Sequence, residues 1–216
     1  MSLTANRIRG IIFDLDGTLY VSPDFADTIQ DAAAGYVAGL RGITLGQVEQ
    51  LMATTRGLLT EATGAVPTLS AVCTSLGGNV RDLHTFFEGC LRPEAYLIRD
   101  ERVIALLERL AQHMPLYLFT NNNRALTTRI IDYLGLNGLF RHIYAIDDTW
   151  KGKPDEDILD RMLAETGLKP TEALFVGDRY DVDLRLPKQR GCPVYLSQSV
   201  EQLLRLEEIL RGMSPA

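Results

Sequence analysis

Asp14 and Asp16 stand two residues apart in the string DLDGT, immediately after the apolar run 8–13 (IRGIIF). Two carboxylates at the end of a buried strand repel each other and lose solvent, a cost that a divalent cation removes. The alternatives are a capped loop or a fragment of a calcium loop. The calcium alternative fails: an EF-hand loop starting at Asp14 needs a third acidic position and a closing glutamate, where this chain has Thr18 and Phe25. Three further strings carry chemically useful groups. Residues 118–121 (LFTN) set the Thr120 hydroxyl and the Asn121 backbone N–H after another apolar run, as a phosphate clamp or simply as a helix N-cap. Residues 151–154 (KGKP) offer Lys151 and Lys153 just before a helical pattern, as a fixed cation or as solvated charge. Residues 175–183 (FVGDRYDVD) place Asp178, Asp181 and Asp183 after a fourth run, as a metal site or as helix-dipole partners. Together the four strings supply a nucleophile, an acid/base, a metal site and a phosphate clamp, which single structural explanations do not account for.

The elements that must position these groups follow from periodicity. Short β-rich runs at 8–13, 115–119, 142–146, 173–176 and 193–196 are apolar and end in polar turns, the pattern of central strands in a parallel sheet. Helical spacing of apolar residues at 101–113, 124–134, 157–166 and 200–210, the last with Ser199 as N-cap, alternates with them. This predicts an α/β fold, a doubly wound (Rossmann-like) parallel sheet whose chemistry sits at the carboxyl ends of the strands. The stretch 22–99 interrupts the alternation. It has no strand-like run but amphipathic segments at 24–39, 44–59, 69–76 and 80–91, separated by Gly42, Gly64, Pro67 and Gly77-Gly78. The expected organisation is therefore a core of residues 1–21 and 100–216 with a small inserted α-helical domain of residues 22–99. Residues 1–3 are set aside from fold reasoning, and the tail 212–216 is expected to be frayed.

Composition bounds the partners. The 216 residues are 46% hydrophobic and 23% charged with a net charge of −6, ordinary for a globular chain with a sizeable core. With no basic cluster, a nucleic-acid polymer or an anionic membrane is not an expected partner, whereas a small phosphorylated metabolite is. Cys73, Cys90 and Cys192 show no metal-ligand spacing and read as buried, reduced thiols of a cytoplasmic protein. His84, His113 and His142 share no ligand spacing, and Tyr20 and Trp150 read as packing or pocket-lining residues.

The ordered set DLDGT, LFTN, KP and VGDRYDVD, spanning residues 11–183, resembles the haloacid dehalogenase-like hydrolase superfamily of the phosphatase kind, and the insert resembles its C1 helical cap. Residues 14–20 (DLDGTLY), 83–87 (LHTFF) and 118–121 further resemble pyrimidine 5′-nucleotidase-type members, although Asn122-Asn123-Arg124-Ala125 stands where those often carry a histidine. The resemblance implies that Asp14 is the nucleophile, ionised at neutral pH, and that Asp16 is the general acid and base. It implies Mg²⁺ held by Asp14, the Asp16 backbone carbonyl and Asp178, with Asp183 in an outer shell. It implies Thr120, Asn121 and Lys153 on the phosphoryl oxygens. Lys151 remains an alternative to Lys153, and Asp181 to Asp183. The expected reaction is Mg²⁺-dependent phosphomonoester hydrolysis through an aspartyl-phosphate, on a substrate that includes nucleoside 5′-monophosphates among its candidates, by a monomer or homodimer. A phosphomutase, a dehalogenase and a non-catalytic phosphate-binding module are the rivals. The DxD pair counts against the dehalogenase, which needs neither Asp16 as acid/base nor Mg²⁺.

Overall fold

A computed structural model describes residues 8–213. Strand β1 (Gly10–Phe13) is followed by helices α1 (Pro23–Arg41), α2 (Leu45–Thr63), α3 (Leu69–Ser75) and α4 (Val80–Cys90). Next come α5 (Glu101–Ala111), β2 (Leu116–Phe119), α6 (Arg124–Leu134), β3 (His142–Tyr144), α7 (Glu156–Thr166) and β4 (Ala173–Gly177). A π-helical turn (Tyr180–Leu184) leads into α8 (Arg185–Gln189), β5 (Val194–Leu196), α9 (Val200–Leu203) and α10 (Leu206–Met213). Among the described residues no helix is long and apolar enough to cross a membrane.

The five strands are all parallel, in the order β3-β2-β1-β4-β5. β1 lies at the centre, with Phe13 in register with Leu118 of β2 and Val176 of β4. The chain thus leaves β1 to one side for β2 and later returns to the other for β4, which opens a crevice at the carboxyl ends of these three strands. β1 and β4 are buried along their whole length, as apolar runs without alternation require. The expectation of central strands fails for β3 and β5. These are sheet edges, shorter and partly exposed, because each has a neighbour on one side only.

The helices start where the capping residues stand. Ser22 caps α1 with Pro23 in its first turn, and Thr44 forms a capping box with Gln47 at α2. Asn79, Asn123 and Asp155 cap α4, α6 and α7. The expected helix 200–210 is broken. The chain tightens at Arg205, whose N–H bonds back to Gln202, and Leu203 and Leu206 are both fully buried on either side of the break. Of the tail expected to fray, Gly212 and Met213 belong to α10, while 214–216 and residues 1–3 lie outside the described residues. Cys73 and Cys192 are buried, and burial pushes both thiols up to about 11; Cys90 is exposed, contrary to expectation, because it closes the last turn of α4.

One hydrophobic cluster joins α1–α4 to one sheet face through Phe25, Val37, Leu83, Leu91, Leu118 and Val176, and a second, built on Ile12, Phe175 and Met162, covers the other face. Helices α1–α4 meet the layer on the sheet at α4 and α6. Asn123 Nδ2 donates to the His84 carbonyl (3.0 Å) and to Glu88 Oε1 (2.8 Å), and Arg129 binds Glu94 through paired contacts.

Candidate active site

β1 ends at Asp14, whose N–H continues the ladder to the Val176 carbonyl (2.8 Å), so its carboxylate is delivered to the crevice by the central strand. The Asp14 carboxylate is buried and claimed on both oxygens. Oδ1 accepts from Lys153 Nζ at 2.5 Å, and Oδ2 from the Thr18 hydroxyl at 3.2 Å. Lys153, 3% exposed, also donates to Asp183 Oδ1 (2.7 Å) and to the Phe119 carbonyl (2.8 Å). Lys151 lies on the surface, paired with Asp157 (3.0 Å) and Asp155 (3.6 Å). Geometry therefore separates the two lysines that the sequence left open.

The fourth string divides in the same way. Asp183 is buried, its Oδ1 on Lys153 and its Oδ2 accepting the Arg179 N–H (3.0 Å); Asp181 faces Arg185 at 3.7 Å instead. The π-helical turn accomplishes this, with Gly177 leaving room: a Cβ there would stand 2.5 Å from that of Asp183. Asp178 approaches from the end of β4. Gly17, at φ +83°, is required here, since a side-chain carbon would stand 2.5 Å from Asp178 Oδ2.

Asp14, Asp178 and Asp183 can bring ligand oxygens within 4.8 Å of one another. Asp178 Oδ1 is buried with no hydrogen-bond partner among the described residues, its nearest cation being Arg179 Nε at 3.8 Å, and burial pushes Asp178 up to about 6 against the usual carboxylate range. Burial, opposed by Lys153 and reinforced by Asp183, Asp16 and Asp178, pushes Asp14 up to about 7. Burial and the neighbouring acids thus oppose ionisation of Asp14, whereas Lys153 favours it. An orphaned buried carboxylate oxygen beside two more acids, all hard oxygen donors, fits a divalent cation such as Mg²⁺. Asp183 Oδ1 on Lys153 and Oδ2 on the Arg179 N–H tie the lysine to this acidic cluster.

Asp16 lies outside that acidic cluster. Its Oδ1 accepts from the Tyr20 hydroxyl and its Oδ2 from Asn122 Nδ2 (2.8 Å). Thr120 is buried, and its Oγ1 accepts the Asn122 N–H (3.1 Å). The Asn121 side chain clamps the Lys153 backbone, accepting its N–H at 2.6 Å, while the Asn121 N–H has no protein acceptor among the described residues. Sequence reasoning missed the parts played by Thr18, Tyr20, Asn122 and the Asn121 side chain. Thr18 and Tyr20 sit four residues after the aspartates they bind, a local signal that was available. The contact of Asn122 with Asp16 joins positions 106 apart and leaves none.

Between this rim and helices α1, α3 and α4 lies a cavity of about 330 Å³. Phe25, Ile29, Leu69, His84 and Phe87 wall it from those helices, and Asp16, Asn122, Asp178 and Arg179 from the strand ends. Burial lowers His84 to about 4, so its imidazole is neutral. The arrangement can present a buried carboxylate to an electrophile, hold an anion between a lysine and a metal site, and enclose a leaving group under the helices.

The family profile described as haloacid dehalogenase-like hydrolase matches residues 8–189. A glyceraldehyde 3-phosphate phosphatase of Methanocaldococcus jannaschii is 23% identical over 193 residues, 85% of this chain and 82% of that protein. A phosphoglycolate phosphatase of Yersinia pestis is 28% identical over 195 residues, 86% of this chain and 79% of that protein. Among solved structures, the hydrolase YfnB of Bacillus subtilis, crystallised with magnesium, superposes with a TM-score of 0.59 at 20% identity, over 95% of this chain and 99% of that one. At that identity the likeness extends to the fold.

Proposed function

The chain belongs to the haloacid dehalogenase-like hydrolases, and we propose that within that family it hydrolyses small phosphomonoesters by way of a phosphoryl group on Asp14. One observation carries this reading: a buried carboxylate at the end of the central strand, held at 2.5 Å by a buried lysine and flanked by an orphaned acidic oxygen suited to a cation. Residues 22–99 act as a cap over a catalytic core of 1–21 and 100–216.

Asp14, Asp178 and the Asp16 backbone carbonyl would hold Mg²⁺, which when bound neutralises charge between an anionic nucleophile and an anionic substrate. Lys153, fixed by three oxygens, supplies a second positive charge as the phosphoryl group transfers. Thr120 and the free Asn121 N–H would hold the non-bridging oxygens. An oxygen of Asp14 attacks phosphorus as the ester bond breaks, and Asp16 gives its proton to the departing alkoxide. Asp16 then takes a proton from water, which attacks the aspartyl-phosphate and releases inorganic phosphate with Asp14 restored. Asp16 is oriented for this by Tyr20 and Asn122, a device that a dehalogenase would not need.

The cavity favours a compact leaving group over a nucleoside. A base needs an aromatic face to stack on, but Phe25 packs against Tyr20 and Tyr96, and Phe87 takes the edge of His84. The two phosphatase relatives, named for a two-carbon and a three-carbon phosphate, agree with a small substrate.

The test is phosphate release from p-nitrophenyl phosphate with Mg²⁺ or with chelator, on the wild type and on Asp14→Asn. Mg²⁺-dependent release that vanishes in the folded variant is expected. Release that persists in Asp14→Asn removes Asp14 as nucleophile, and release indifferent to chelator removes the metal.

A further inference from the structure

Arg179 is unaccounted for by the chemistry above. It follows Asp178 at the end of β4, yet its guanidinium makes no hydrogen bond among the described residues; its closest carboxylate oxygen, on Asp178, is 3.8 Å from Nε. Its side chain keeps 48% of its surface accessible although it lines the cavity under the cap. Among the described residues lining that cavity it is the one cation, since His84 is neutral there and Lys153 stands on the far side of the rim. A guanidinium is always charged and carries five donors arranged to meet a carboxylate through two parallel bonds. Placed in the compartment that receives the leaving group, it has a charge neighbour in Asp178 but no protein acceptor for its donors among the described residues.

We infer that Arg179 reads a carboxylate on the leaving group, so that the substrate is a small phosphorylated carboxylic acid. The inference rests on the phosphatase reading and narrows it. Charge balance with the nearby acids is one part of its role, since Asp178 pairs with it at 3.8 Å and Asp183 and Asp14 act on it too, yet no hydrogen bond draws the guanidinium onto Asp178 or Asp183. Instead Asp183 takes the Arg179 backbone N–H, a bond that survives any change of side chain. An uncharged leaving group would displace water from the guanidinium without offering its donors a charged acceptor, which penalises it relative to the acid.

The experiment compares kcat/KM for phosphoglycolate and for its uncharged counterpart, 2-hydroxyethyl phosphate, in wild type, Arg179→Gln and Arg179→Lys. The wild type should prefer the acid. Arg179→Gln should lower the acid-to-alcohol ratio by about 10- to 100-fold, the scale of one lost charge-assisted contact, and Arg179→Lys should retain part of the preference because it keeps charge without the fork. A wild type indifferent to the carboxylate would overturn the inference. So would a Gln variant that loses equally on both esters, which would assign Arg179 to the phosphoryl group. In both cases release from p-nitrophenyl phosphate keeps the phosphatase reading standing. No release from any of the three esters would overturn that reading and this inference with it.

Discussion

Asp16 is oriented before a substrate arrives, because the Tyr20 hydroxyl and Asn122 Nδ2 each hold one of its oxygens. Burial and the adjacent Asp16 push the Tyr20 phenol well above its ordinary value, so it stays a donor at every working pH. Removing it in Tyr20→Phe should matter most where proton donation matters most. Alkyl phosphates, whose alkoxide needs a proton to leave, should lose about tenfold more kcat than p-nitrophenyl phosphate, a fraction of what general acid catalysis contributes. Equal losses on both would mean that Tyr20 only packs. Gly17 is the second test at this scale. Gly17→Ala strains a left-handed backbone and drives a methyl into Asp178 Oδ2, so half-saturation by Mg²⁺ should rise about 10- to 100-fold. An unchanged magnesium titration would place the metal away from Asp178.

At the scale of elements, the positions of strands and helices were legible in the sequence wherever the signal is local. The apolar runs ending in polar residues became β1, β2 and β4, and Ser22, Thr44, Asn79 and Ser199 start helices as capping chemistry directs. Edge position was not legible, because the residues of β3 and β5 do not say on which side a neighbour lies. Asn123 shows how one cap serves two elements. It accepts the Leu126 N–H (2.8 Å) to start α6 and donates to the His84 carbonyl and Glu88 on α4. Asn123→Ala should cost about 2–3 kcal/mol in urea unfolding, an N-cap plus the two hydrogen bonds to α4. Thr44→Ala, at an exposed cap, should cost about 1 kcal/mol. Equal costs for the two would show that the seam between α4 and α6 adds nothing to stability.

The whole molecule stores unfavourable charge at the crevice. Asp14 and Asp178 hold protons more tightly folded than unfolded, so without metal their contribution makes stability fall as pH rises from about 4, ending near 6 for Asp178 and near 7 for Asp14. His84, lowered to about 4, acts with the opposite sign below its unfolded pKa of about 6.5. Asp14 alone therefore governs the slope above about pH 6.5 among these three groups. Mg²⁺ must displace the protons on Asp14 and Asp178, so the rise in Tm on adding it should be larger at pH 8 than at pH 5.5, with protons released on binding. A rise independent of pH would show that the ion binds elsewhere.

Residue type and local spacing were enough to establish the α/β class, the helical stretch between β1 and β2, and the identity of the acidic strings. Strand propensity, capping and the meeting of apolar run with carboxylate are all written within a few neighbouring residues. The resemblance favoured Lys153 over Lys151 and Asp183 over Asp181, and only the tertiary structure shows Lys153 and Asp183 buried together while Lys151 and Asp181 pair on the outside. Members of each pair are identical in type and two residues apart, and only the path of the chain decides which is buried against Asp14. The same holds for Asn122 on Asp16 and for Arg179 in the cavity. Their roles come from surfaces that the fold assembles out of distant segments, and no spacing along the chain encodes a distance across the crevice.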